Sequence, residues 1–178
     1  NNKIGFYVGH LFSAKQILKV CANDSFMLFY LNNPSNTVRI FNLKQQQLIN
    51  SITLPSKAFD IDILDDNTIH VGLNNGFAEY DHLREACILN YDPANPQSLP
   101  PGPVLCSYTD HKKNLWIGTS SSGIAVQPSN FSNFTLIPAV HKNDAIQDID
   151  VDSDDKIIAS NTGIYRIQNG AMQLIKDF

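Results

Sequence analysis

The chain has 178 residues, 43% of them hydrophobic and 17% charged, with a net charge of −4. That composition excludes intrinsic disorder, and without a Lys/Arg block there is no concentrated basic surface to draw the chain to nucleic acid or anionic lipid. No apolar run approaches the ~20 residues of a membrane span, and three cysteines (Cys21, Cys87, Cys106) with no CxxC pair imply no disulfide framework and lean toward a cytoplasmic setting.

In chain order, Ile4–Val8 is a short strand candidate ahead of everything else. Leu11–Val20 reads as strand, with two turns of helix as its rival. From Gln16 onward a unit repeats: a short apolar run, a small polar turn, a second apolar run. Its copies contain Phe26-Met-Leu-Phe-Tyr-Leu with Asn36-Thr-Val-Arg-Ile-Phe, Ile69-His-Val-Gly-Leu with Gly76-Phe-Ala-Glu-Tyr, Leu115-Trp-Ile-Gly-Thr with Gly123-Ile-Ala-Val, and Ile157-Ile-Ala-Ser with Gly163-Ile-Tyr-Arg-Ile. Anchored on Asn36, Gly76, Gly123 and Gly163 the steps are 40, 47 and 40 residues.

Each unit divides into four strand-like segments. The second gives Ala58–Leu64, Thr68–Leu73, Gly76–Tyr80 and Ala86–Asn90, and the fourth gives Ala145–Val151, Lys156–Ser160, Gly163–Gln168 and Ala171–Lys176. Asn and Asp fill the turns between them, and Asn169-Gly170 is a two-residue hairpin signal because both positions favour φ > 0. No i, i+3, i+4, i+7 apolar pattern lasts a helix length. The expectation is all-β: a β-propeller of about four four-stranded blades (16–55, 56–92, 103–140, 144–178), a complete small ring or part of a larger one, with Ile4–Val8 placed to close it. The longer step comes from Asp92–Pro103, whose five prolines remove strand donors and favour an extended loop. Such an insertion maps to one face of a propeller and is expected to be trimmable without unfolding.

The third unit, Asn114-Leu-Trp-Ile-Gly-Thr-Ser-Ser-Ser-Gly-Ile-Ala-Val, resembles the repeat of two-component-regulator propellers, which form blades of bacterial sensor ectodomains. The second and fourth are similar, the fourth without the Trp. The first, ending Asn36-Thr-Val-Arg-Ile-Phe-Asn, looks like a degenerate WD40 strand without Trp-Asp or Gly-His. The resemblance implies a propeller used for binding, lying outside the cytoplasm if it is such an ectodomain, and it carries over no catalytic residue.

Candidate chemistry is sparse. Asp148, Asp150, Asp152, Asp154 and Asp155 invite a calcium reading, yet Asp60, Asp62, Asp65 and Asp66 occupy the corresponding place one unit earlier, so a polar strand face and an acidic turn account for both. Gly118-Thr-Ser-Ser-Ser-Gly123 fits neither GxSxG nor a P-loop. The histidines share no ligand spacing. No metal and no cofactor is implied.

The polar tips Asn74, Asn75, Ser120, Ser121, Ser122, Asn161 and Thr162 fall at equivalent points and are expected on one face, joined by the between-blade loops. They are the candidate binding residues, together with Trp116, whose alternative role is blade packing. The expected function is a non-enzymatic interaction or ligand-sensing module for a protein or small ligand. Its rivals are a propeller enzyme with a channel-mouth site, and a structural segment that pairs with itself or with another propeller segment.

Overall fold

The computed structural model describes residues 17–31, 36–65, 68–81, 84–152 and 155–178. Ile4–Val8 and part of the Leu11–Val20 stretch lie outside them; within that stretch, Ile17 onward is strand. Among the described residues, sixteen strands form four antiparallel sheets of four, each in chain order. Blade 1 holds β1 (Ile17–Ala22), β2 (Phe26–Leu31), β3 (Thr37–Asn42) and β4 (Gln47–Thr53). Blade 2 holds β5 (Ala58–Ile63), β6 (Thr68–Leu73), β7 (Gly76–Asp81) and β8 (Arg84–Leu89). Blade 3 holds β9 (Val104–Thr109), β10 (Leu115–Thr119), β11 (Ile124–Gln127) and β12 (Thr135–Ile137). Blade 4 holds β13 (Ile146–Asp152), β14 (Asp155–Ser160), β15 (Gly163–Gln168) and β16 (Ala171–Asp177).

Turn chemistry sets these boundaries. Asn169 and Gly170 sit at φ 53° and 74°, the double left-handed step of a type I′ hairpin. Asn23 closes the β1–β2 turn by accepting the N–H groups of Ser25 and Phe26 at 2.9 and 2.8 Å. Asp65 does the same for the N–H of Thr68 at 2.8 Å. In the acidic turn after β5, Asp65 therefore serves as a backbone cap.

The first strands stand side by side in chain order, β1 against β5, β5 against β9 and β9 against β13, with no comparable packing from β13 back to β1. Among the described residues the blades thus form an open arc. Each sheet has a leading face toward the next blade and a trailing face toward the one before, and apolar clusters fill the three joints. Leu28, Tyr30, Val38 and Ile40 meet Ile61, Ile69, Val71 and Tyr80 between blades 1 and 2. Phe77 meets Val104, Leu115 and Ile117 between blades 2 and 3. Trp116 and Ile124 meet Ile146, Ile149, Ile158 and Tyr165 between blades 3 and 4. This two-sided burial explains why the central strands read as continuous apolar runs rather than alternations.

One position recurs at every joint. Each first strand carries a bulge near its start, between Ile17 and Lys19, Ala58 and Asp60, Val104 and Cys106, and Ile146 and Asp148. The residue before the bulge lies against the second strand of the preceding blade. A methyl group on Gly72 would stand 2.8 Å from the Val104 carbonyl oxygen and 2.9 Å from its Cγ1; one on Gly118 would stand 2.7 Å from Ile146 Cγ2 and collide with Cys106 Sγ. The Gly of the repeat is a packing socket.

The residue after the bulge supplies the polar tie. Asp60, 5% exposed, accepts the N–H and hydroxyl of Ser107 on β9 at 2.7 and 2.9 Å and pairs with Lys19 on β1. Three blades meet on one carboxylate. Close by, Asp62 has its pKa raised by burial and by Asp60. Burial pushes the thiols of Cys21 and Cys106 up to about 12, so both are protonated and act as packing groups; the Cys106 thiol donates to the Ile146 carbonyl at 3.6 Å.

Removing the Asp60 carboxylate strands the Ser107 donors, so Asp60→Ala is expected to cost about 2–3 kcal/mol. Lys19→Met is expected to cost under about 1 kcal/mol, because the amine is partly in water. Urea unfolding of the two variants checks the order; equal losses would show that the ion pair, and not the Ser107 capture, holds the joint.

Candidate functional site

The loops on one face are built from a repeated bond. The N–H groups of Asn74, Ser120 and Asn161 donate to the carbonyls of Lys57, Pro103 and Ala145 at 2.9, 3.0 and 3.1 Å. Each polar tip is thereby fastened beside the chain entering its own blade, which brings the tips and the between-blade loops to one side of the arc.

What the tips do there differs. Asn74 and Asn75 line an open cleft of about 390 Å³ together with Gly76, Asn90, Tyr91, Pro100, Pro101 and Gly102. Ser120, Ser121 and Ser122 stand behind its Pro100–Gly102 wall. The hydroxyls of Ser120 and Ser121 lie 3.2 and 3.7 Å from where a Gly102 Cβ would project, and the Ser122 hydroxyl donates to the Pro101 carbonyl at 3.3 Å. Asn161 and Thr162 are spent on blade 4 itself. The Asn161 side chain accepts the Ala145 N–H at 2.8 Å, and the Thr162 hydroxyl donates to the Asp144 carboxylate at 2.8 Å.

Trp116 faces none of these loops. It is 6% exposed within the joint between blades 3 and 4, with the Lys156 ammonium 5.9 Å from its ring centre. Its indole N–H donates to Asp110 at 3.0 Å. Asp110 also accepts the Lys112 and Asn114 N–H groups, both at 2.9 Å, and the Asn114 amide at 2.8 Å. Burial alone would raise the Asp110 pKa, but the bonds from Trp116, Asn114 and Lys112 outweigh it and hold the carboxyl below its usual value. This Asp–Asn–Trp set locks the hairpin that presents Gly118.

Four lining residues had no signal in the repeat: Tyr91 at the end of the second unit, and Pro100, Pro101 and Gly102 in the insertion. Tyr91, 52% exposed, stands on a ridge with Pro100 and Pro101. That ridge separates the cleft from a smaller apolar one of about 170 Å³ bounded by Pro96, Phe134 and Leu136. The insertion is not a loose loop, contrary to the expectation that it could be trimmed. Leu99 within it is 1% exposed and packs with Phe77, Val104 and Ile117. The Gln97 carbonyl accepts the Phe134 N–H at 2.9 Å, and the Ser98 hydroxyl binds the Asp92 N–H at 3.0 Å. It is a strap pinned across blades 2 and 3.

Four-stranded sheets standing in an arc with their first strands together define a β-propeller. Residues 98–121, from the strap through Trp116 and Gly118 to the Ser turn, match the family of the two component regulator propeller. No curated protein sequence matches the chain significantly. Among solved structures, the extracellular domain of BT4673 from B. thetaiotaomicron, described as a hybrid two component system, superposes with a TM-score of 0.70 at 19% identity, over 92% of this chain and 22% of that one. A second structure of that domain gives 0.69 at 20% identity, over 92% and 22%. PorZ of Porphyromonas gingivalis, a bacterial surface component of the type-IX secretion system, gives 0.64 at 14% identity, over 92% and 27%. The chain thus spans about a quarter or less of the length of these proteins, and the likeness is one of fold. Among the described residues no helix is long and apolar enough to cross a membrane.

Asp110→Ala is expected to cost about 1–3 kcal/mol by leaving buried donors unpaired and to shift the fluorescence of the single tryptophan to the red. Because the folded pKa of Asp110 is depressed, its contribution is full above the unfolded value near 3.9 and is lost as pH falls through the lower folded value. The stability gap between wild type and Asp110→Asn should therefore be constant above about pH 4 and close below it. A gap that does not change in acid would contradict this assignment.

Proposed function

We propose that the chain is a binding module of sensor type, which captures a ligand or a protein segment in the cleft of Asn74, Asn75, Asn90, Tyr91 and the Pro100–Gly102 wall. The lining carries this reading: amides that both donate and accept, one half-exposed phenol, proline rings and, among the described residues, no charged side chain. Side-chain amides do not ionise near neutral pH, so the surface suits recognition rather than acid–base chemistry. Ser120–Ser122 act behind the wall as positioning residues, and Trp116 acts further back by fixing the blade. Fold likeness to extracellular domains supports placing this face outside the cytoplasm, where a sensor meets its ligand. The rigid arc with functional loops at one end is a common plan for binding sites.

The test is a thermal-shift screen of the chain against a panel of uncharged small molecules and peptides, repeated on hits with Tyr91→Ala and Asn75→Ala. Each variant should keep its own melting temperature and weaken a true ligand by about tenfold or more, the scale of losing one anchor contact. Leu99→Ala, by contrast, should cost about 2–5 kcal/mol as a buried truncation. Hits that bind both cleft variants at full strength would place the site elsewhere.

A further inference from the structure

Every joint in this arc uses one pair of positions, and the two ends of the arc leave one socket and one plug unmatched. The socket is the second-strand residue opposite the bulge: Tyr30, Gly72, Gly118 and Ala159, cross-strand partners of Lys19, Asp60, Cys106 and Asp148. The plug is the residue before the next blade's bulge. Ala58 meets Tyr30, its N–H donating to the phenol at 3.0 Å, while Val104 meets Gly72 and Ile146 meets Gly118. Sizes run inversely, the largest socket with the smallest plug and the two glycines with branched aliphatics. This is the volume matching a close-packed interior requires.

Ala159 is the unfilled socket. It lies on the leading face of blade 4 in the row Asp148, Ala159, Ile164, beside the row Asp150, Ile157, Arg166. Ile157, Ala159 and Ile164 are only half-buried there, and Asp148 and Asp150 are exposed. In the blade 2 counterpart of this face, the carboxylate after the bulge captures an N–H and a hydroxyl from the next first strand. The exit of the chain is also in place. Leu54, where the chain leaves blade 1 for β5, donates its N–H to the Asn36 carbonyl at 2.8 Å, and Phe178 makes the matching bond to Thr162 at 3.3 Å.

We propose that the leading face of blade 4 is a docking surface for a further blade of this repeat type entering from Phe178. Its first strand sets an aliphatic plug of valine size or smaller on Ala159 and offers an N–H or hydroxyl to Asp148. The three filled joints identify the occupant, since each shows this face covered by such a strand. A second copy docked head to tail would set Ile17, the residue before the β1 bulge, on Ala159; isoleucine is the plug that a glycine takes at Gly118, one size too large for an alanine socket.

The experiment extends the full chain at Phe178 with a copy of its own residues 98–140 (plug Val104) or 54–92 (plug Ala58), each with and without Ala159→Tyr. Expected is an added blade that resists limited proteolysis in at least one extension; Ala159→Tyr should speed cutting of the Val104 blade about tenfold, the rate tracking how often the joint opens, and should leave the Ala58 blade protected, since Tyr30 takes that plug at the first joint. The unextended Ala159→Tyr chain should keep the wild-type melting temperature, since nothing there is displaced. Failure of both extensions to protect the added blade overturns the proposal, as does protection of the Val104 blade that ignores the tyrosine. A dimer of the unextended chain that Ala159→Tyr disperses would also overturn it, by assigning the face to a second copy.

Discussion

At each joint the first strand of one blade comes within van der Waals distance of the second strand of the blade before it, and the residue at that contact must be sized to its opposite number. Gly72 and Gly118 satisfy this by having no side chain, because the Val104 carbonyl and the Ile146 side chain occupy the space a methyl would need. The rest of the arc depends on that approach. It brings Ser107 within reach of Asp60 and the Cys106 thiol to the Ile146 carbonyl. It also closes the apolar clusters around Trp116 and Phe77. Hydrophobic area supplies most of the attraction, but area alone would not fix one blade against the next in a single register.

The architecture was legible in the sequence because turn residues and apolar runs recur together. The strands Thr68–Leu73 and Gly163–Gln168 match their readings to the residue, and the other boundaries read in blades 2 and 4 agree or shift by one or two positions, the usual fraying of strand ends. Three meanings were not legible. The Gly of the third unit reads as part of a motif, and only the joint shows that it is a socket. Asp60 and Asp148 look alike as alternating strand acids, yet one is buried as a three-blade tie and the other is exposed at the end of the arc. The Pro-rich insertion looks like free loop because proline breaks the strand pattern, and a lone Leu99 gives no periodic signal of the core it enters.

The candidate site was half legible for the same reason. Equivalence between repeats pointed to the turn tips, and Asn74 and Asn75 do line the cleft. Equivalence is also what misleads, since the tips of blades 3 and 4 use their polar groups to fasten loops. The residues that distinguish the cleft are the Pro100–Gly102 wall, which the repeat does not contain, and Tyr91, at the edge of the second unit where the insertion begins. In this fold the periodic residues build the scaffold and the interruption shapes the surface. The seven-residue excess between Gly76 and Gly123 is where chemistry has room to vary.

The most direct test of this account is a double-mutant cycle across the joint between blades 3 and 4, with Gly118→Ala, Ile146→Ala and the pair, in a Cys106→Ala background that removes the nearer sulfur, measured by urea unfolding. Gly118→Ala alone is expected to destabilise by about 1–3 kcal/mol through overpacking, and the smaller plug should absorb most of that, leaving a coupling above about 1 kcal/mol. Additive losses would mean that the glycine serves only its own strand, and that the blades are not keyed to one another at this contact.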